Sequence, residues 1–201
     1  MQKEKILKLM LGKIGEMDIS NLNAIDVLPY IGISAKQFTV LFPNGVEELF
    51  MDVIEYAGRW WLDCLKKDVK EMATKEEKIA LLLNNYALGA WEYSENLSLY
   101  IDLWKLIKDG KSNYLKMRLW NIYDIYIKEF SVIIREIGVS GLTDEEIHVM
   151  GVIMTAMSDA IHIQSLTMES PVDFAKIQDF ICKSAKIVMT SLRQGEEKHE
   201  G

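Results

Sequence analysis

The chain has 201 residues, with 30 acidic against 23 basic side chains and a net charge of −7. That length accommodates one domain, or a small domain fused to a medium one, and a hydrophobic content of 49% indicates a globular protein. The acidic total argues against a protein that coats nucleic acid, which would be basic overall, but it leaves room for a local DNA-reading patch.

The sparse cysteines argue against a structural metal site. Cys64 and Cys182 lie far apart, and no cysteine or histidine spacing typical of zinc occurs. No apolar run approaches the roughly 18 residues of a membrane span, and residues 1–8 lack the apolar segment of a secretory signal. We therefore expect a cytoplasmic protein without a metal ion, a cofactor or a membrane association.

Helical periodicity runs through almost the whole chain, and no segment alternates as a strand would. Pro29 lies inside the second helical segment, so that helix is expected to be short, kinked or to begin near the proline. Thr74 and Thr143, each with glutamate three residues on, predict capping boxes. The predicted helices are Lys3–Met17, Ala24–Ile31, Ala35–Leu41, Val46–Met72, Thr74–Trp91, Ser94–Lys108, Ser112–Ile137, Thr143–Met168 and Ser170–Arg193.

The predicted fold class is all-α, with a small N-terminal three-helix domain joined by a long helix to a larger helical domain. We place the domains at residues 1–45 and 46–201. Charge follows the same division, because five lysines and four acids leave residues 1–45 at +1 and the remainder at −8. The acidity therefore belongs to the larger domain.

A glycine-bearing turn joins the second and third predicted helices, which is the pattern of a helix-turn-helix motif. Such a motif inserts the first residues of its second helix into the major groove, where Lys36 can contact phosphate or guanine and Gln37 can bond adenine. Ser34 and Thr39 can bond phosphates. The candidate DNA-binding residues are Ser34, Ala35, Lys36, Gln37 and Thr39. An ordinary helical corner without a ligand is the alternative interpretation.

Nothing in the sequence predicts catalysis. No glycine-rich phosphate loop occurs, and His148 and His162 are too far apart along one predicted helix to bind a metal together. The adjacent acids Glu47-Glu48 and Glu145-Glu146 fall in first helical turns, where the helix dipole favours them. We assign no catalytic residues.

The run Gly32–Asn44 resembles the signature of the TetR family of transcriptional regulators. In that family a Gly-Val-Ser turn leads into the recognition helix, which ends in a Phe-Pro pair before an acidic helix start, as at Glu47–Phe50 here. Residues 103–123 are similar to the family's ligand domain, and the last two helices resemble its dimerisation pair. The resemblance covers nearly the whole chain and implies a repressor that binds operator DNA as a homodimer.

Some positions depart from the family pattern. Thr39 and Leu41 stand where aromatic residues are usual, and no arginine precedes Arg59. Phosphate contacts supply much of any DNA affinity, so weak DNA binding is expected. The run Leu41–Gly45 also resembles lipid-binding proteins of ubiquinone biosynthesis, which have the TetR fold without DNA binding. A lipid- or isoprenoid-binding protein is therefore the alternative, and an enzyme is the third class.

Aromatic residues and methionines are concentrated in the middle helices. These side chains suit an apolar pocket between helices, although each of them also suits a helical core. We therefore expect a small hydrophobic or aromatic ligand. The candidate pocket residues are Trp61, Trp104, Met117, Trp120, Tyr123 and Met157.

The last two helices carry apolar stripes that a monomer would leave partly exposed. Pairing them across a two-fold axis would give a four-helix bundle, although both stripes could instead pack within one subunit. The resemblance then implies that ligand shifts the Val46–Met72 helix and changes the spacing of the recognition helices. The candidate dimer residues are Met150, Ile153, Met154, Ile161, Phe174, Ile177, Phe180 and Ile181.

Overall fold

The computed structural model describes residues 2–13, 17, 23–88, 103–105, 107–108, 112–139, 141–167, 176–177, 179–181 and 183–184, with the backbone alone at 87–88 and 162–167. All regular structure in these residues is α-helical, which confirms the predicted class. Residues 103–105, 107–108, 176–177, 179–181 and 183–184 are helical pieces. The helices with complete bounds are α1 (Gln2–Leu11), α2 (Ala24–Ile31), α3 (Ala35–Leu41), α4 (Val46–Glu71), α5 (Lys75–Leu88), α6 (Asn113–Ile137) and α7 (Asp144–Thr167).

The predicted helix boundaries in the described residues agree closely with the structure, apart from the first. Lys3–Met17 was expected as one helix, but α1 ends at Leu11, and Lys13 N–H donates to Met10 O in a turn at 2.9 Å. Glycine at position 12 disfavours continuation because it has the most backbone freedom to lose in a helix. The predicted starts at Ser94 and Ser170, and the predicted ends at Trp91, Met168 and Arg193, lie outside the described residues.

The chain divides into two compact units. The first contains Met1–Trp61 and Tyr93–Ile122, and the second contains Leu62–Glu92 and Tyr123–Gly201. Helices α4 and α6 each contribute residues to both units. The predicted boundary after residue 45 separates a DNA-binding part from the rest of the chain. The two units do not test that boundary, and it stays a prediction.

In the first unit, α1 packs on α2 and α2 on α3. Asn23 and Ser34 cap α2 and α3 in capping boxes, so the first backbone N–H groups of both short helices have partners. Pro29 lies on the exposed side of α2, so its missing N–H leaves the core untouched. Gly32 takes a φ of 65°, which glycine adopts without strain. The buried residues of this three-helix core are Ile6, Met10, Val27, Ile31, Phe38 and Phe42.

In the second unit, α5 packs on α7, and both predicted threonine caps form. Glu77 N–H donates to Thr74 Oγ1 at 3.2 Å and Glu146 N–H donates to Thr143 Oγ1 at 3.2 Å, with the reciprocal bonds also present. Tyr86 donates to the Tyr126 carbonyl at 2.8 Å. The buried core includes Leu65, Val69, Ile79, Leu82, Tyr86, Phe130, Ile133, Ile134, Ile147 and Met154.

Candidate functional site

The exposed face of α3 contains every predicted DNA-binding residue. Ser34, Ala35, Lys36, Gln37 and Thr39 are all exposed. Phe38, one position from Gln37, is buried, so α3 is held on the core by its opposite side. The structure therefore brings the candidate reading residues together on one short helix.

Several of the polar atoms on this face already have partners. Gln37 Oε1 accepts from both the Ser34 N–H and the Ser34 hydroxyl at 3.0 Å, and Thr39 Oγ1 donates to the Ala35 carbonyl at 3.1 Å. A paired adenine contact needs Gln37 to accept through Oε1 while its amide donates. In this conformation the cap occupies that oxygen, so such a contact requires the capping box to open.

Positive charge is scarce around α3. Lys36 is the one cation between residues 23 and 45, while Ile25, Tyr30 and Val40 expose large apolar surface on α2 and α3. The number of phosphate contacts sets the slope of affinity against salt. A surface with one lysine supports few such contacts per protomer.

Four acidic side chains on the first part of α4 form a second polar feature of the first unit. We refer to Glu47, Glu48, Asp52 and Glu55 as the acidic cluster. Their spacing repeats roughly every helical turn, so they share one side of α4. The sequence interpretation explained only Glu47 and Glu48, as first-turn acids, and it overlooked this repeat.

Lys3 of α1 binds the acidic cluster from one side. Its Nζ lies 2.6 Å from Asp52 Oδ2 and 3.5 Å from Glu48 Oε1. The same ammonium lies 4.9 Å from the centre of the Phe42 ring, which is within cation–π range. Burial alone would lower the pKa of Lys3, but the two carboxylates outweigh it and the pKa is raised. Lys3 thus connects α1 to α4 and to Phe42, which caps the C-terminal end of α3.

Arg118 of α6 binds the acidic cluster from the other side. Its Nη2 lies 2.8 Å from Asp52 Oδ1 and 2.9 Å from Glu55 Oε2, and its Nη1 donates to the Tyr114 hydroxyl at 2.7 Å. Burial opposes the charge of Arg118, but the hydrogen bond to Asp52 and the neighbouring charges raise its pKa. Asp52 therefore lies between two cations from two different helices.

Two further contacts complete the cluster. Ser112, which caps the start of α6, donates to Glu47 Oε2 at 2.7 Å, and Glu48 Oε2 accepts from the Asn44 N–H at 2.9 Å. The acidic cluster therefore joins the turn after α3 to the beginning of α6. The arrangement is held by charge-assisted bonds, which are stronger than neutral ones.

The candidate pocket residues are divided between the two units. Trp61, Trp104, Met117 and Trp120 belong to the first, and Tyr123 and Met157 to the second. Trp120 and Met117 are exposed on α6 at 70% and 63%, whereas Tyr123 and Met157 are half-buried. The pocket they were expected to form stays a prediction.

Tyr123 belongs to a polar pair that sequence reasoning missed. Its hydroxyl donates to Asp159 Oδ2 of α7 at 2.8 Å. Asp159 is mostly buried, and burial raises its pKa to about 6 although the Tyr123 hydrogen bond acts in the opposite direction. The sequence signal is a single acid on an otherwise apolar stretch of helix. Buried groups with shifted pKa values are common at functional sites.

The candidate dimer residues fall on two sides of their helices. Met154, Ile161 and Ile181 are buried within the chain, whereas Ile153 and Phe180 are exposed at 56% and 70%. Met150 and Ile177 are half-buried, and Phe174 lies outside the described residues. A second apolar stripe of α7, which we call the outer stripe, is exposed instead. It consists of Val149, Val152, Ile153, Ala156 and Ala160.

The described residues contain neither a metal-binding cluster nor a membrane-spanning helix. Those residues place no group of three His, Cys, Asp or Glu side chains where it could hold a metal ion. No described helix combines the length and apolar character that crossing a membrane requires.

Comparison with solved structures defines the fold. FadR from Bacillus subtilis, solved with stearoyl-CoA, superposes with a TM-score of 0.66 at 15% identity, covering 90% of this chain and 96% of that one. A Rhodococcus sp. protein assigned to the TetR family gives 0.65 at 16%, covering 94% and 98%. A regulator from Saccharomonospora viridis, solved with choline, gives 0.64 at 14%, covering 89% and 92%.

The chain therefore has the fold of TetR-family transcriptional regulators, as its resemblance predicted. No protein-family model matches the sequence. No curated protein matches it either.

Proposed function

We propose that the protein is a ligand-responsive transcriptional regulator that binds operator DNA as a homodimer in the cytoplasm. The observation that carries this proposal is the capped, exposed face of α3, which occurs within the fold of TetR-family regulators. Residues 1–45 would bind DNA, and residues 46–201 would bind ligand and dimerise. A repressor released by its ligand is the form that the resemblance implies.

The DNA-binding surface would be built from α3 with a small electrostatic contribution. Lys36 would contact a phosphate or guanine, and the Gln37 amide nitrogen would donate to a base or phosphate while its oxygen keeps the cap. Two protomers would place two such helices in successive major grooves, roughly 34–36 Å apart. Affinity would therefore depend on dimerisation.

The outer stripe of α7 supports a homodimer. Its residues are spaced by three or four positions over three turns, so they form one continuous apolar face that the single chain leaves exposed. An isologous helix pair across a two-fold axis would bury this face on both protomers. The interface would use Ile153 as predicted, with Val149 and Val152 in place of the buried Met154.

Helix α6 would carry the response to ligand. It holds Arg118 in the acidic cluster and Tyr123 in the second unit, so a ligand that displaces α6 would strain the bonds from Arg118 to Asp52 and Glu55. Asp52 also binds Lys3, which connects it to α1. The coupling is reciprocal: a ligand that weakens DNA binding must itself bind the DNA-bound form less well.

Two neighbours were solved with bound small molecules, which supports an effector site here, but the two molecules differ in their chemistry. The Bacillus subtilis structure holds a long-chain acyl-CoA and the Saccharomonospora viridis structure holds choline. One is a polyanion with a long apolar chain, and the other is a small cation. The fold is therefore compatible with both, and the identity of the effector must come from the residues of this chain.

Selection of fragmented genomic DNA on the purified protein, at about 100 mM salt, tests the proposal. We expect enriched sites that contain two inverted half-sites about one helical turn apart. If no site is enriched, the DNA-binding function is wrong, and the lipid-binding alternative without DNA becomes the better interpretation.

Two single variants test the DNA contacts of α3 while keeping its capping box. Lys36→Ala keeps the capping box and should weaken operator binding and reduce the salt slope by about 1 per protomer. Gln37→Glu keeps an oxygen for the cap but removes the amide donor, so it should also weaken binding. Lys70→Ala, on the exposed last turn of α4, is the matched control and should have no effect.

A further inference from the structure

The close contact between α6 and α7, which we call the seam, contains Gly151 and Asp159 of α7 and Tyr123, Ile127 and Phe130 of α6. Gly151 of α7 lies against α6 so closely that an added Cβ would meet Ile127 atoms at 3.3 Å and Phe130 at 3.4 Å. Thr155, one turn on, is buried and returns its hydroxyl to the Gly151 carbonyl at 2.8 Å. Asp159 follows one more turn on, at the same side of α7, and meets Tyr123 of α6.

Asp159 therefore occupies a position where an apolar residue would extend the seam. Its one hydrogen bond among the described side chains comes from the neutral Tyr123 phenol, and no lysine or arginine of the described residues forms an ion pair with it. A carboxylate offers about four acceptor positions. Tyr123 occupies one of these, so Asp159 retains capacity for a further donor.

Leaving a carboxylate in this position costs free energy. Burying an ionised group without a charged partner is unfavourable, and the group responds by holding its proton more tightly. Asp159 shows that response, since burial raises its pKa to about 6, yet at neutral pH it is still mostly ionised. A cation placed beside Asp159 would remove this penalty, whereas an anion would increase it.

We propose that Asp159, supported by Tyr123, is the polar anchor of the effector site and that it selects an amphiphilic amine. The ammonium would donate to the free positions of the Asp159 carboxylate, and the apolar body would pack against the neighbouring helices of the second unit. This inference rests on the proposed function only in taking the second unit as the effector domain. It narrows the expected small hydrophobic or aromatic ligand to one that carries an ammonium group.

Three probes with the same chain length isolate the charge of the head group. Dodecylamine, 1-dodecanol and dodecanoate are titrated into the full-length protein near neutral pH, below their critical micelle concentrations, by isothermal titration calorimetry. We expect dodecylamine to bind at least about tenfold more tightly than the alcohol, and dodecanoate more weakly than both. Equal affinities for the amine and the alcohol would overturn the proposal.

Asp159→Asn tests whether the selectivity comes from this residue. The amide keeps the size and an acceptor for Tyr123, so we expect the preference for dodecylamine over the alcohol to disappear while alcohol affinity stays the same. Asp124→Asn, an exposed acid of α6 paired with Lys128, is the matched control and should keep the preference. Unchanged amine selectivity in Asp159→Asn would contradict the assignment.

The outcome is separable from that of the DNA selection. Enriched operators together with no amine preference would refute the anchor and leave the regulator function intact. Amine binding through Asp159 without any enriched DNA would establish the anchor and refute the regulator. Circular dichroism of each variant checks that a lost preference does not reflect unfolding.

Discussion

Two half-buried aspartates, Asp52 and Asp159, lie one in each unit of the molecule, in opposite electrostatic settings. Asp52 is bound on both oxygens by cations, Lys3 at 2.6 Å and Arg118 at 2.8 Å. Asp159 has only a phenol at 2.8 Å among the described partners. The first carboxylate is compensated by described residues of the chain itself, and the second has no cationic partner among those residues.

The difference separates a structural role from a binding role. A compensated pair holds helices together, and removing one partner is costly because it leaves the other charge exposed to a low dielectric. An uncompensated carboxylate contributes nothing comparable to stability and reduces it when ionised. Its presence at this contact agrees with the proposed binding of an amine at Asp159.

Removal of Arg118 should have the largest effect. Arg118→Ala leaves Asp52 with Lys3 alone and deprives Glu55 of one of its two arginine partners. We expect a loss of about 3 kcal/mol in the free energy of unfolding, at the lower end of values for buried pairs because solvent reaches part of the guanidinium. Urea denaturation measures it.

Arg59→Ala is the matched control for that variant. Arg59 also binds Glu55, at 2.8 Å, but it is exposed and pairs within α4. Its removal should cost no more than about 0.5 kcal/mol. Similar losses for the two arginines would mean that the acidic cluster does not behave as a buried network.

Neutralising Asp159 should increase the free energy of unfolding, by less than Arg118→Ala decreases it. Its pKa is about 6 in the folded protein against 3.8 ordinarily, so the protonated form is favoured by folding. Its contribution to stability is most favourable below about pH 4 and is lost as the pH rises through 6. The shift corresponds to at most about 3 kcal/mol, and residual solvent contact reduces our expectation to about 2 kcal/mol.

Asp159→Asn should therefore be more stable than the wild type near neutral pH, while the two converge at about pH 4. Chemical denaturation at several pH values provides the measurement. Asp124→Asn should show no such pH-dependent gain, because Asp124 is exposed. A destabilised Asp159→Asn at neutral pH would show that Asp159 has a compensating partner after all.

Removing the tyrosine hydroxyl near each aspartate should give the smallest changes in stability. Tyr123→Phe removes the donor to Asp159 and should cost about 1 kcal/mol, and it should raise the pKa of Asp159 above about 6 because that hydrogen bond lowers it. Tyr114→Phe removes an acceptor from Arg118, which keeps its two carboxylates, and should cost about 0.5 kcal/mol. Titration of the Asp159 carboxyl by NMR distinguishes the two variants, and an unchanged pKa in Tyr123→Phe would contradict the pairing.

The helices and their caps were predictable because their signals are local. Ser34, Thr74 and Thr143 each bond the backbone N–H three residues on, so short runs of sequence specify these helix starts. The end of α1 was missed because one glycine is a weak signal against a continuing apolar period. The exposed face of α3 was predictable for the same local reason, since it follows a cap and a turn, and the DNA-reading role of its residues stays a prediction.

The orientation of α7 could not be predicted in the same way. Its sequence is apolar on almost every side, so periodicity does not distinguish the stripe that packs inside from the stripe left outside. Gly151 determines which stripe packs inside, because its missing side chain allows α6 to approach. Met154 is therefore turned inward and Ile153 outward. Sequence spacing alone would accept either assignment.

By itself, the sequence determined the all-α class, the capped starts of the helices and the exposed face of α3, because these depend on residues within a turn or two of each other. Tertiary structure alone decided which charges meet. Lys3, Asp52 and Arg118 come from α1, α4 and α6, and Tyr123 meets Asp159 across 36 positions. Whether a half-buried acid meets a cation depends on neighbours that are distant along the chain. Only the folded chain therefore shows that Asp52 is paired with cations and that Asp159 meets a phenol but no cation among the described residues.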